Sequence, residues 1–357
     1  MNKPIVSVTI STYNRIDLLK ISLKAILEQT YENLEIILID DCSTDGTYEY
    51  LQSISDERMH LIRNEENMVS KFGHTELSKK MVSLAKGEYI MTMSDDDYWV
   101  NNNFIEECVD IMQKYNLSKV VGSQVNYHYE DSFQRFSPDK INSLIKDNNP
   151  LVYHHNNILP EGFMTSEEYL NHFAERPAQV NISTSGTMFS KDKFLKSLTL
   201  QNKNQSKWQG GYELSIPGCF LGDVFYINKP CLMCGVKNTS LSFNFTQLEH
   251  LQDTLLSIDN GFENYEKLVT NKSTFKKIYK KFIKNICETY LNNSIYIFTY
   301  GELSMCSLDN IKGYVKLYDV FKIYMKYGII SLNLKLMLRY LYCKYKFFPK
   351  YSEKFNN

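Results

Sequence analysis

No apolar run in this 357-residue chain reaches 18 residues, because Lys, Asn or Asp interrupts even the greasiest segments. A bilayer-crossing helix needs about 20 such residues, so none is expected. The start, Met1-Asn2-Lys3-Pro4, runs straight into a β-branched stretch with neither a basic n-region nor an apolar h-region, which predicts no secretory signal and a cytoplasmic location. Cysteine is thinly spread. The eight residues (42, 108, 219, 231, 234, 287, 306 and 343) form no framework, and the pair Cys231-Leu-Met-Cys234 has no second pair or histidines nearby. That pattern fits reduced thiols and argues against structural zinc. Internal repeats and low-complexity tracts are also missing.

What the chain has is an ordinary globular balance, 43% hydrophobic and 23% charged, in a length suited to one or two domains. Tyrosine (26) and phenylalanine (20) are abundant and offer amphipathic surface for sugars, lipids or partners. A formal net charge of -1 conceals a division. Residues 267–357 hold 17 Lys+Arg against 5 Asp+Glu, whereas residues 1–266 hold 23 against 36, so the two regions face different partners.

Ile5 to Ile10 alternates and is β-branched, as a strand requires, and Ser11 to Arg15 follows as a polar loop. Asp17-Leu18-Leu19 with Leu23, Ile26 and Leu27 then recurs at helical spacing. Leu34 to Ile39 is a continuous apolar run of the kind buried in parallel sheets, and it ends in Asp40-Asp41 and the turn Cys42 to Gly46. Helices are predicted over 47–54 and 75–84, a short strand over 60–64 and another over 89–93. This βαβαβαβ order predicts a parallel, doubly wound α/β sheet. Farther on, strands are predicted over 119–129, 180–189 and 224–227, the last stopping at Lys229-Pro230, and a helix opens at Gly210-Gly211. Residues 131–179 are polar and hard to parse, as a variable substrate region would be.

The strand over 89–93 delivers Asp95-Asp96-Asp97. Three adjacent carboxylates repel one another, and a hard divalent cation such as Mg2+ or Mn2+ relieves the repulsion. The competing reading is a solvated turn that caps the next helix with Asn101-Asn102-Asn103. Context favours the metal. Two upstream apolar runs also end in polar residues, and such ends form a crevice at the carboxyl edge of an open sheet, where ligands bind.

Four stretches in order, Val6 to Arg15, Ile37 to Thr47, Ala85 to Ile90 and Asp95 to Asp97, resemble the family 2 inverting glycosyltransferases of the GT-A fold. The resemblance implies a Rossmann-like, mostly parallel domain over 1–265, with a nucleotide-sugar half (1–115) and an acceptor half (116–265), then a basic helical region over 266–357. It places Ser11, Tyr13 and Arg15 in the nucleotide pocket, Asp41 with Asp40 on the base or ribose, and Lys79 and Lys80 near the pyrophosphate. Asp97 would bind Mn2+ or Mg2+ directly, Asp95 would face the ribose or donor sugar and share the metal, and Asp96 would support them. The cation would stabilise charge on the departing nucleoside diphosphate, expected to be UDP.

Inversion also needs a base on the acceptor hydroxyl. Where the family usually carries Glu-Asp at a helix start, this chain reads Trp208-Gln209-Gly210-Gly211-Tyr212-Glu213, a departure that leaves Glu213 as the nearest carboxylate and Asp223 as its fallback. Trp208 and Tyr212 would form the acceptor platform. The acceptor implied is a growing bacterial-type surface glycan or a lipid-linked glycan.

In the basic region, Phe275, Ile278, Tyr279, Phe282 and Ile283 share one predicted helix face and lysines fill the other; residues 335–351 repeat the theme with Leu334, Leu338, Leu341 and Tyr345. Such helices either pack on their own domain or dock peripherally on the anionic inner face of a membrane. Nucleic acid is not expected, because the acidic first region opposes it. Two rival functions stand beside the transferase. A sugar nucleotidyltransferase needs a glycine-rich phosphate loop that Ser11 to Arg15 lacks, and a sugar-nucleotide-binding module without activity would account for the altered base motif.

Overall fold

The computed structural model describes residues 3–129, 132–147, 149, 152–154, 159–175, 183–199, 221–237, 247–263, 272–300, 315–327, 329 and 333–346. Within them one sheet runs through β1 (Val6–Thr12), β2 (Leu34–Asp40), β3 (Met59–Arg63), β4 (Tyr89–Ser94), β5 (Asp97–Trp99), β6 (Lys119–Tyr129), β7 (Val152–His154), β8 (Gly162–Met164), β9 (Thr187–Ser190) and β10 (Val224–Lys237). Its order is β3-β2-β1-β4-β9-β6-β10-β5, with β7 added to β6 and β8 to β10.

The first four strands are parallel, and Val8 of β1 lies between Ile36 and Met91. A strand covered on both faces must be apolar along its length, and every residue of β2 is buried. Leu19, Leu23 and Ile26 of the helix Ile16–Leu27, and Phe104, Ile105, Cys108, Val109 and Met112 of the helix Phe104–Tyr115, complete the main core with β1, β2 and β4. Each such side chain, fully buried, contributes roughly 1.5–3 kcal/mol. The chain leaves β1 toward β2 and β3, then returns to the other side of β1 at β4. That reversal opens a crevice at the carboxyl ends of the strands.

Several elements differ from expectation. From β9 onward the pairing turns antiparallel, to β4 and β6. The predicted strand over 180–189 is a 3-10 turn, Thr184–Gly186, followed by the shorter β9; residues 180–182 lie outside the described set. β10 does not stop at Lys229-Pro230. It runs on to Lys237, with Pro230 falling between the segment paired to β8 (Val224 to Tyr226) and the one paired to β5 (Leu232 to Cys234). There the missing proline N–H is not needed by either ladder. The stretch 131–179, which showed no period, contains the helix Pro138–Lys146 and the helix Ser166–Glu175. Ser137 caps the first of these by accepting from Lys140 N, with Pro138 in its opening turn.

Packing divides the chain into two compact units, the first holding the sheet and the second the C-terminal helices. In the second, the helix Lys272–Tyr300 buries Phe275, Ile278, Phe282, Ile283, Ile286 and Leu291. Phe262, from the helix Gln247–Glu263, lies 5.1 Å from Phe275 and 4.9 Å from Tyr279. The apolar face predicted for this first basic helix is therefore core. No helix among the described residues is long and apolar enough to cross a membrane.

At the amino ends of the strands, Glu35 accepts from Ser7 Oγ, Lys86 N and Gly87 N, and Ser7 Oγ accepts from Gly87 N at 2.8 Å. A Cβ on Gly87 would come within 2.6 Å of Ser7 N and 2.8 Å of Ile5 O, backbone that cannot swing aside. The Gly87→Ala variant should lose about 1–3 kcal/mol of stability, read as a lower urea midpoint. An unchanged midpoint would show that the strands yield.

Candidate active site

Pairing of β1 with β4 sets Ser11 beside Ser94, so the residues that follow the two strands meet. Thr12 Oγ1 donates to Asp95 Oδ2 at 2.9 Å. Arg15 Nη1 donates to Asp95 Oδ1 at 2.8 Å and to Asp96 Oδ2 at 3.1 Å. One guanidinium thus compensates two of the three carboxylates. Desolvation raises the Asp95 pKa and Arg15 opposes the shift; Asp96 is raised by desolvation and then by Asp95, again with Arg15 opposing.

Asp97 has a different setting. It opens β5, is only 6% exposed, and pairs in register with Cys234 of β10. Ser185 and Cys234 hydrogen-bond its side chain, while desolvation and then Asp96 push its pKa up to about 8. Ser185 is itself fixed, accepting at Oγ from Ser94 N (3.1 Å) and at its carbonyl from Trp99 Nε1 (2.7 Å). Gly235 lets β10 approach the triplet closely. Its N–H donates to Asp96 O at 3.2 Å, and a Cβ there would meet that oxygen at 2.8 Å.

Beside this cluster lie the loops after β1 and β2, stitched together by Asn14. That residue takes a left-handed φ of 51°, its N–H donates to Ser43 Oγ (2.9 Å), and its Oδ1 accepts from Thr44 N (2.7 Å). Tyr13 on the first loop is 46% exposed. Asp40 Oδ2 accepts from Ser43 N and sits 3.6 Å from Arg63 Nε, but its buried Oδ1 has no hydrogen-bond partner. Asp41 is fully engaged. It accepts from Asn64 Nδ2 (2.6 Å), Met68 N (2.8 Å) and Val69 N (3.0 Å), and so anchors the start of the helix Met68–Phe72. Lys80 joins this network through Asn64 Oδ1 (2.7 Å), whereas Lys79 pairs with Glu76 along its own helix.

The fold brings Ser11, Tyr13, Arg15, Asp40, Asp41 and Asp95 to Asp97 to one edge of the sheet. Asp223 is not among them. It immediately precedes β10, at the end paired to β8, whereas the triplet lies against the Leu232 to Cys234 segment paired to β5. Its carboxylate accepts from Ser166 N (3.2 Å) and its carbonyl from Ser118 N (2.8 Å), so it ties the strand end down instead of serving as a fallback base. Trp208, Tyr212 and Glu213 lie outside the described residues. Sequence reasoning missed Thr12, Ser185, Cys234 and His74. Desolvation and then Arg15 hold the His74 imidazole below its ordinary pKa, with Asp41 opposing, which puts it beside the same cluster. Thr12 lay within a motif already singled out and Cys234 within the pair Cys231-Leu-Met-Cys234, which was set aside for want of further ligands; no pattern signalled a site role for Ser185 or His74.

Among the described residues no three His, Cys, Asp or Glu side chains converge to hold a cation unaided. Mg2+ typically needs less than that, one or two carboxylates completed by phosphate oxygens and water. Asp97 fits as such a ligand, because it is an oxygen donor whose ionised form its surroundings disfavour until a cation arrives.

The family model for glycosyl transferase family 2 matches residues 7–174. The match takes in a little under half of the chain. Over 129 residues the chain is 36% identical to the UDP-Glc:alpha-D-GlcNAc-diphosphoundecaprenol beta-1,3-glucosyltransferase WfaP of Escherichia coli, covering 36% of this chain and 48% of that protein. It is 35% identical, also over 129 residues, to the glycosyltransferase GlyG of Streptococcus pneumoniae, covering 36% and 41%. The chain thus spans about half the length, or less, of these relatives. The structure of S. aureus TarS 1-349 in complex with UDP-GlcNAc matches with a TM-score of 0.61 and 13% identity, covering 97% of this chain and 89% of that one. At that identity the likeness is one of fold, and the fold is the expected GT-A arrangement.

The buried carboxyl has a consequence for stability. Folded Asp97 holds its proton more tightly than an unfolded aspartate, whose pKa is about 4, so its burial costs little at low pH and progressively more as pH rises to about 8. In EDTA, thermal melts should show stability falling through that window, and Asp97→Asn should flatten the fall. A pH dependence identical in the two proteins would contradict the assignment.

Proposed function

We propose that this chain is a metal-assisted, inverting glycosyltransferase that moves a sugar from a UDP-linked donor to a hydroxyl of a lipid-linked bacterial surface glycan. The observation that carries the reading is the divided triplet, with Asp95 and Asp96 bridged by Arg15 and Asp97 left buried, inside residues that match the glycosyl transferase family 2 model.

The donor occupies the crevice at the carboxyl ends of β1, β2 and β4. Asp40 offers its unpartnered oxygen to a base N–H or ribose hydroxyl, and exposed Tyr13 offers a face for stacking. Asp41 acts indirectly, holding Asn64 and the helix that follows it, while Lys80 is kept near that network for the diphosphate. Arg15 is committed to Asp95 and Asp96, so its work is to hold these carboxylates in place for the ribose or donor sugar. Asp97, with Asp95 sharing, holds Mn2+ or Mg2+. A bound cation of this kind offsets negative charge on a departing diphosphate. On the acceptor side Glu213 takes the hydroxyl proton, with Trp208 and Tyr212 flanking the sugar; these three rest on the sequence alone.

The donor and acceptor classes are supported by relatives. WfaP, and WfgD of Escherichia coli at 29% identity, both carry names that specify a UDP-Glc donor and a diphosphoundecaprenol-linked acceptor. An acceptor carried on lipid also accounts for a basic C-terminal region that makes peripheral contact with an anionic membrane.

The deciding experiment is nucleotide release from UDP-, GDP- and dTDP-sugars, with Mn2+ or EDTA. Release from one UDP-sugar is expected, only with metal, and Asp97→Asn should lower kcat by about 10²–10³-fold. Glu213→Gln should keep UDP affinity and lose transfer. Undiminished release in EDTA would overturn the metal's role, and release from GDP- or dTDP-sugars alone would overturn the donor.

A further inference from the structure

We infer that the helices Leu317–Tyr327 and Leu334–Lys346 are the surface on which the chain docks to an anionic lipid bilayer, by inserting Tyr318, Phe321, Met325, Leu338, Leu341 and Tyr345. This deepens the reading of a lipid-linked acceptor and rests on it for its purpose. Each helix already has a core face, Val320 and Tyr324 in the first, Leu336, Met337 and Tyr340 in the second. Tyr340 Oη donates to Val315 O at 2.9 Å, and Asn333 Nδ2 to Glu288 Oε2 of the helix Lys272–Tyr300 at 3.3 Å. Both helices are therefore folded elements, and each carries a second apolar stripe that the core does not use.

In the first helix the stripe is Tyr318, Phe321 and Met325, which are 65%, 37% and 82% exposed; in the second it is Leu338, Leu341 and Tyr345, at 66%, 36% and 76%. Both sets have the spacing i, i+3, i+7, which places them on one side of a helix. Large apolar groups left in water at regular helical spacing mark a surface awaiting a partner.

Charge identifies the partner. Between residues 315 and 346 the chain has seven Lys or Arg and one acidic residue, Asp319. Exposed Lys322 lies with Nζ 4.5 Å over the Tyr318 ring, and exposed Lys335 and Arg339 flank Leu338. Tyrosine and leucine entering the headgroup boundary, with cations against lipid phosphates beside them, is the pattern of an interfacial helix. A second copy of this chain would bring the same positive charge to the same stripe and repel. The first basic helix differs, since its apolar face is filled by Phe262 and its neighbours and its lysines coat an ordinary surface.

The test is sedimentation of the full chain with vesicles of phosphatidylcholine alone and of phosphatidylcholine with an equal part of phosphatidylglycerol, at low and high salt. Binding to the mixed vesicles is expected, weaker at high salt. The triple variant Lys322→Gln, Lys335→Gln, Arg339→Gln should bind about a hundredfold more weakly, roughly fivefold for each cation lost. Tyr318→Ser with Met325→Ser, Leu338→Ser and Tyr345→Ser should abolish binding at either salt. If that variant does not fold, the charge variant, which alters only exposed cations, carries the test. The proposal is overturned if the wild type ignores mixed vesicles, if the charge variant binds as the wild type does, or if light scattering shows a dimer that the stripe variant splits. Calorimetric titration of UDP into the same proteins tests the donor site separately, so a failure of docking and a failure of the transferase reading cannot be confused.

Discussion

The fold around the site depends on one electrostatic constraint, that carboxylates on three consecutive residues cannot all remain charged without compensation. Arg15 meets most of it. Its guanidinium reaches both Asp95 and Asp96 from the loop after β1, and Thr12 at the end of the same strand adds a hydrogen bond to Asp95. The ion pair therefore also ties the β1 loop to the turn between β4 and β5. Because the loops after β1 and β2 are joined through Asn14 and Ser43, the bridge fixes three strand ends with respect to one another.

The second acidic pair shows how similar residues divide between architecture and chemistry. Asp41 spends both oxygens on Asn64 and on the amides that open the next helix, so removing it would release a segment of chain before it affected any ligand. Asp40, one residue earlier and just as buried, keeps one oxygen without a partner. A buried unsatisfied acceptor costs free energy, about 1–3 kcal/mol, which on the proposed reading a donor group of the nucleotide would recover. Two adjacent aspartates at one strand end thus differ in how far they are engaged, which neighbours in space decide and sequence position does not.

That distinction marks how far the sequence could be read. The parallel half was legible because a strand buried on both faces has to be apolar throughout, as β2 is, and because polar residues at successive strand ends have to collect at one edge. The antiparallel half was not. β10 passes through Pro230 at a point where its neighbours change, a circumstance that exists only once the sheet is assembled. Asp97 read as a residue beyond the end of the strand over 89–93, yet it opens a strand of its own, since its pairing with Cys234 joins residues far apart in the chain. Asp223 looked near in sequence to the expected base and lies at the wrong end of its strand. The two basic helical stretches had the same amphipathic pattern, but only one has its apolar face filled.

The environment of Asp97 argues for its role more strongly than the triplet motif does. A buried carboxylate stripped of water needs strong donors or a positive charge, and the nearby guanidinium is already committed to Asp95 and Asp96. Of its two hydrogen-bonding neighbours, Cys234 offers a thiol, a weak donor whose own pKa burial raises well above the ordinary range, so it stays protonated and neutral. An Arg or Lys in place of Cys234 would satisfy the carboxylate permanently and leave nothing for a cation to do. A weak donor orients the side chain without compensating its charge. The carboxyl's proton is consequently held more tightly than an ordinary aspartate's, and on the proposed reading a divalent cation bound there would supply the missing charge and favour the ionised form.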